Sequence, residues 1–378
     1  MDFELNEDQR MLADTVSSFA KQSSPLARFR KLRDDECGWD PAVWRQMGEL
    51  GWLSVPFPEE VDGLGGSFVE VAVILECLAA TLVPEPYVPS VVLGGYALLL
   101  AGSLEQQKRF LPPMMEGRTS LALAHAERTS RYDSTVVRTM AKRAGESWTL
   151  TGEKEWVLNG HAADEIVVSA STPDGLALFV VPRDAAGLTL ESLRTLDGHH
   201  AARARLEGVA VGADRLLGEP GAGAGTLDRL MDLGATAACA EGVGIAQAML
   251  AMTVEYLKTR QQFGVKIGAF QVLQHRAVDM FIEVEVCRSM TMEAVMRVGA
   301  DDDDERRAAV SAAKAQLAVG GRFVANQSIQ LHGGVGCTDE HDIGLYFKRM
   351  RALNSLFGDE EHHVARYGAL DEFTAGLE

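Results

Sequence analysis

Apolar positions along the chain change rhythm twice. To about residue 117 they recur at helical spacing. Leu12, Val16, Phe19 and Ala20 fall on one helix face. Asn6 is a ready N-cap for that helix, and Glu7 and Asp8 supply the acidic first turn that a helix N-terminus favours. Asp40 followed by Pro41 predicts a second helix start. The run from Val55-Pro56 to Gly65-Gly66 predicts a loop, and helical texture returns at 68–80 and 104–115. Between about 118 and 217 short β-rich runs take over, at 148–150, 165–171, 176–181 and 204–211, punctuated by Gly145, Gly152, Gly160, Asp174-Gly175 and Gly187. From about 222 the pattern is helical again, with long helices predicted over 238–258, 268–298 and 304–331. The expected fold class is α+β: an N-terminal helical domain at 1–117, a middle β barrel or sandwich at 118–217, and a C-terminal helical domain at 218–378 whose long helices form a four-helix bundle.

Composition narrows the function classes. A chain of 378 residues exceeds one compact core, and 47% hydrophobic residues argue against disorder. Only the last few residues and the run Asp301-Asp302-Asp303-Asp304 read as loose, the run being a solvated lead into a helix N-terminus. A formal charge of -18 disfavours nucleic acid and anionic membrane as partners. An anionic cofactor would need a local concentration of Arg or backbone N–H groups. Cys37, Cys77, Cys239, Cys287 and Cys337 are odd in number and scattered, which points away from a disulfide framework or structural zinc. The polar N-terminus does not resemble a signal peptide, and the apolar run 88–101 is too short to span a bilayer; a cytoplasmic setting is expected. The adjacent pairs His199-His200 and His362-His363 read as surface or interface histidines rather than metal ligands.

The most informative segment runs from Tyr256 to Gln271 and contains Arg260-Gln-Gln-Phe263-Gly264, then Gly268 and Phe270. A guanidinium there can grip a pyrophosphate through paired N–H groups. An aromatic ring beside it offers a flat apolar contact, and the glycines allow close backbone approach. Downstream stand Gln330-Leu331-His332-Gly333-Gly334 and Gly336; upstream stand Trp156-Val-Leu158-Asn159-Gly160 and the loop from Pro58-Glu59 through Asp62 to Gly65. In this order and spacing the motifs resemble the acyl-CoA dehydrogenase family over roughly residues 1–370. The resemblance implies an FAD shared between subunits. One chain's β domain holds the flavin ring, and the neighbouring chain supplies the Arg, Phe and Gln of the second motif together with the glycine-rich turn. Arg260, Phe263, Phe270, Gln271, Gln330, His332, Gly333 and Gly334 would then contact FAD.

The chain also departs from the family's pattern. The family removes an α proton from an acyl-CoA with a glutamate base. Phe357 stands at one place where that base occurs, and Gly234, followed by Ala235, at the other. Neither can accept a proton, so no catalytic residue is expected here. Asp232, Glu241 and Asp359 are the nearby carboxylates, each read most simply as a solvated or helix-end charge. The family's glycine-rich flavin loop is replaced by Ala126-Glu127-Arg128-Thr129-Ser130-Arg131-Tyr132-Asp133, and the hydroxyl residue that bonds the flavin ring by Leu158. This asymmetry, with the runs around His199-His200 and His362-His363, resembles the small subunit of heteromeric acyl-CoA dehydrogenases acting on steroid side-chain or pimelate-like CoA thioesters. Such a subunit completes the FAD site of a larger catalytic partner, commonly as α2β2, with the acyl-CoA held mainly by that partner. The competing readings are a homomeric flavoenzyme with another carboxylate as base, and a cofactor-free structural protein.

Overall fold

The computed structural model describes residues 5–370; the C-terminal end expected to be loose lies outside the described residues. The chain opens with helices α1 (Glu7–Ser23), α2 (Leu26–Leu32), α3 (Pro41–Glu49), α4 (Phe68–Ala79), α5 (Tyr96–Ala101) and α6 (Leu104–Met115). The strands β1 (Leu121–Ala124), β2 (Met140–Ala144), β3 (Ser147–Leu158), β4 (Glu165–Thr172), β5 (Gly175–Pro182), β6 (Leu188–Arg194), β7 (His200–Gly212) and β8 (Leu216–Leu217) follow. Then come α7 (Gly223–Thr259), a hairpin of β9 (Gln261–Gln262) and β10 (Val265–Lys266), α8 (Gln271–Arg297), α9 (Asp303–Gln316), α10 (Arg322–His332), α11 (Ile343–Leu353) and α12 (Glu360–Gly368). The class is α+β, as the pattern predicts.

These elements form two compact units. One joins Met1–Arg30, Phe68–Val83 and Ala235–Glu378; the other joins Lys31–Ser67 and Pro84–Gly234. In the helical unit, Asn6 caps α1 by accepting from the Gln9 backbone at 2.8 Å while the Gln9 side chain answers the Asn6 N–H at 3.0 Å. Val16, Phe19 and Ala20 are the buried residues of α1. The small-residue stretch of α7 allows close packing: a Cβ on Gly244 would stand 2.3 Å from the Glu76 carbonyl of α4, and one on Gly242 would meet Leu317 at 2.6 Å. A window of α7 is long and apolar enough to cross a bilayer, but 67% of it is buried inside the protein, as befits a core helix.

Long helices differ from expectation at their ends and once in the middle. α7 starts fifteen residues before 238, α8 starts only after a 3-10 turn at Ile267–Ala269, and the helix predicted over 304–331 is interrupted by a π-helical turn at Leu317–Gly321. There Gly320 and Gly321 face Cys287 and Met350 with no room for a side chain. Asp302 caps α9 on the backbone of Asp304 and Glu305, so Asp303 and Asp304 belong to the first turn of that helix, the start into which the run was expected to lead.

The second unit contains one mixed eight-stranded sheet, in the order β6-β7-β3-β2-β4-β5-β8, with β1 parallel to β4. Alternate residues of the strands feed a single core that includes Ala141, Trp148, Leu150, Val168, Phe179, Leu206 and Val211. Trp148 and Phe179 pack at 5.5 Å between ring centroids. β3 carries a bulge between Lys154 and Val157. It leaves Trp156 at φ +54° and 59% exposed, neither in the core nor packed at an edge.

Candidate cofactor site

The two-residue hairpin after α7 is the local signature of the site. Phe263 and Gly264 occupy its tip at φ +56° and +80°. Two left-handed central residues are what a tight hairpin of this twist demands. Glycine meets that demand freely, but a phenylalanine there stores strain. Phe263 is 90% exposed and meets Phe270 edge-on at 6.2 Å. The Ile267 N–H donates to the Arg260 carbonyl at 2.9 Å, closing the loop. Gly268 lies so close to the end of α7 that a Cβ would stand 2.8 Å from the Leu257 carbonyl.

Beside the hairpin is a groove of about 480 Å³ within the helical unit. Of the predicted residues, Arg260, Gln330, His332, Gly333 and Gly334 line it together. Phe263, Phe270 and Gln271 do not; Gln271 is the first residue of α8. Tyr256 and Arg276 also line it and were missed by sequence reasoning. The available signal was spacing: Tyr256 is one helical turn before Arg260 on the same face. Among the described residues the Arg260 guanidinium has no hydrogen bond or ion pair, whereas Arg276 donates to Gln327 at 3.3 Å. α10 ends at His332, and Gly333 takes φ +64° before a 3-10 turn through Cys337. Among the described residues nothing lies within 4 Å of where a Cβ on Gly333 or Gly334 would be.

His332 is buried. Its ring stacks on Tyr256 at 4.5 Å and meets His341 at 4.7 Å. Its Nδ1 lies 2.7 Å from the Ser328 carbonyl, so Nδ1–H donates there and Nε2 is left as an acceptor with no partner. Burial lowers its basicity. A free guanidinium and an open glycine backbone on one groove suit the phosphates of a dinucleotide, while the orphaned His332 acceptor suits a donor such as a hydroxyl or amino group.

The region matching the family's flavin-ring loop is organised differently. Glu127 is buried. Its Oε1 accepts from Lys154 Nζ at 2.7 Å, from the Thr139 N–H at 2.9 Å and from the Thr139 hydroxyl at 2.8 Å, and its Oε2 accepts from the Arg138 N–H at 2.7 Å. Burial alone would raise its carboxyl, but the Lys154 hydrogen bond and charge, helped by the backbone donors, hold it low. Lys154 is fully buried, also reaches Ser169 Oγ at 3.0 Å, and is pulled down to about 8 by desolvation. His125, bonded to the same Ser169 hydroxyl at 3.0 Å, is lowered by burial to about 4. Exposed Arg131 sits at φ +46° over the Tyr132 ring.

At the base positions, Phe357 lies in the turn between α11 and α12 at φ +58°. The turn is pinned from below: buried Lys314 donates to the Gly358 carbonyl at 2.8 Å, and His363 Nε2 donates to the Phe357 carbonyl at 2.9 Å. His363 is 1% exposed and lowered by burial to about 3, which corrects the expectation of a surface or interface histidine. Asp359 caps α12, accepting from the His362 N–H at 3.0 Å. Glu241 is held by Arg349 through both oxygens at 2.5 and 2.8 Å. Gly234 and Asp232 are buried within α7.

Family models for the acyl-CoA dehydrogenase N-terminal, middle and C-terminal domains match residues 6–118, 122–209 and 221–369. A probable acyl-CoA dehydrogenase of Bacillus subtilis, YngJ, is 32% identical, with 96% of this chain and 97% of the relative covered. The chain belongs to the acyl-CoA dehydrogenase family. Among solved acyl-CoA dehydrogenases, a variant of the Tcur3481-Tcur3483 steroid ACAD is 30% identical with a TM-score of 0.89, covering 98% of this chain and 99% of that one. The ChsE4-ChsE5 complex from Mycobacterium tuberculosis is 29% identical with a TM-score of 0.90, covering 97% and 98%. Acyl-CoA dehydrogenases are FAD-dependent oxidoreductases that dehydrogenate acyl-CoA, and FAD is this chain's cofactor.

Proposed function

We propose that this chain is the companion subunit of a heteromeric acyl-CoA dehydrogenase, completing the FAD site of a larger partner that carries the base. The carrying observation is that no carboxylate stands at either base position: Phe357 occupies one and Gly234 the other. The nearby candidates are otherwise engaged, Glu241 by Arg349 and Asp359 as a helix cap. A base must be free to take the α proton.

FAD supplies the hydride acceptor in the family's α,β-dehydrogenation. In this reading Arg260 grips pyrophosphate oxygens, Gly333 and Gly334 offer backbone close to them, and Gln271, Gln330 and His332 bond the remaining polar edges. Phe263 and Phe270 give the apolar contact. The groove's free guanidinium supports the assignment. So does the outer face of α8, where Val278, Phe281, Ile282 and Val286 are all at least 40% exposed at helical spacing, an apolar stripe suited to another subunit. The similar Tcur3481-Tcur3483 and ChsE4-ChsE5 proteins are pairs by name, and the former a steroid ACAD. We therefore assign an α2β2 assembly in the cytoplasm, with a bulky acyl-CoA bound mainly by the partner.

The test is Arg260→Ala in the co-purified pair. Bound FAD should fall while the two chains still co-purify. Full FAD retention would end the half-site reading, as would acyl-CoA oxidation by the isolated chain.

A further inference from the structure

We propose that the groove beside the hairpin is a nucleoside-diphosphate site in its own right, with Arg276 as a second phosphate-binding residue beside Arg260. This deepens the FAD reading and rests on it for the natural ligand. The chain carries a formal charge of -18, yet among the described residues Arg260 and Arg276 line this groove and no Asp or Glu does.

The two guanidinium groups arrive from different elements. Arg260 follows the last residue of α7. Arg276 lies in the second turn of α8, where Val272, Leu273 and Arg276 all line the groove at helical spacing. Arg276 donates to the Gln327 side chain at 3.3 Å, a long bond to a neutral acceptor, and has no ion pair among the described residues. Gln327 stands one turn before Gln330 on α10, and Gln330 lines the groove as well.

Other arginines of this chain are neutralised in place. Arg215, Arg288 and Arg349 each hold a carboxylate, those of Glu165, Glu76 and Glu241. Two cations on one groove with no acid between them repel each other until an anion enters. A diphosphate can present one phosphoryl group to each planar fork, which a single phosphate cannot. Tyr256, Ile267 and Leu331 add apolar wall suited to the attached nucleoside. With the flavin ring held by the partner, the diphosphate end is the part that this chain recognises alone.

The test is calorimetric titration of the full chain, purified without its partner, with pyrophosphate, phosphate, ADP and AMP. Pyrophosphate and ADP should saturate one site, with phosphate and AMP at least about tenfold weaker. Arg276→Gln keeps reach to Gln327 but removes the charge. It should weaken pyrophosphate about 10- to 100-fold and phosphate less than about threefold. Arg276→Lys should recover part of the loss. Absence of saturable binding, phosphate as tight as pyrophosphate, or an Arg276→Gln chain that binds pyrophosphate as the parent does would each overturn the proposal. The co-purified pair separates this proposal from the cofactor reading. Both Arg260→Ala and Arg276→Gln should lower bound FAD. Loss with Arg260→Ala alone leaves the cofactor reading standing and ends the role of Arg276. FAD kept in both variants, with pyrophosphate binding still dependent on both arginines, keeps the diphosphate site and ends the cofactor reading.

Discussion

Glu127 sits where the family's flavin loop is replaced and Arg260 where a flavin motif is kept, and their charges have opposite fates. Glu127 is enclosed in the sheet unit and accepts four hydrogen bonds, one of them from buried Lys154. The Arg260 guanidinium stands on a groove with no bond among the described residues. A charge whose bonds are all made internally holds the fold; one left open has its bonding capacity available to a ligand. The 126–133 loop therefore reads as structure, and the hairpin with its glycine turn as a binding surface.

The largest effect should come from removing the cation under the loop. Lys154→Met leaves Glu127 buried and unpaired, and should cost roughly 3–5 kcal/mol of stability. Chemical unfolding of the variant checks this; near-parental stability would mean that the network does not hold the sheet unit. Acid should act on the same network next. The unfolded chain protonates His125 near 6.5, while the folded chain resists until about 4. The folded pKa is depressed, so stability is complete above about 6.5 and falls as pH drops toward 4, by about 3 kcal/mol for this group. His125→Asn should flatten the slope of stability against pH in that window.

The groove should respond differently. Arg260→Ala should change stability by less than about 0.5 kcal/mol. It should weaken FAD in the pair by about 10- to 100-fold, the worth of a charge-assisted hydrogen-bond pair. The smallest effect belongs to the hairpin tip: Phe263→Gly relieves a left-handed phenylalanine and should stabilise the isolated chain by up to about 1 kcal/mol. The same change should weaken assembly, measurable by sedimentation of the pair. A stability loss at Phe263, or at Arg260, would erase the contrast between the two regions.

Much of the helical framework was legible because its signals are local. The Asn6 cap with Gln9 three residues on, the Asp40-Pro41 start and the periodic stretch at 104–115 each specify their own helix. Long-range packing set the rest. β1 is Leu-Ala-Leu-Ala, wholly buried and too short to tell from helix by periodicity. The glycines at the 320–321 break pack closely on Cys287 and Met350, which local periodicity does not reveal. Within the candidate site, motif order identified five groove residues. It could not reveal Arg276, the Tyr256–His332 stack, or that His363 is a buried prop rather than a surface group. Asp62 shows why the glycine motif was readable despite its substitution: it takes φ +65°, one of the few side chains that tolerates a glycine's left-handed place.

The most direct measurement is the visible absorbance spectrum of the chain purified alone and again after co-purification with a partner subunit. The account predicts no flavin bands from the chain alone, and flavin bands with acyl-CoA oxidation from the pair. Stoichiometric flavin and acyl-CoA oxidation in the isolated chain would contradict it.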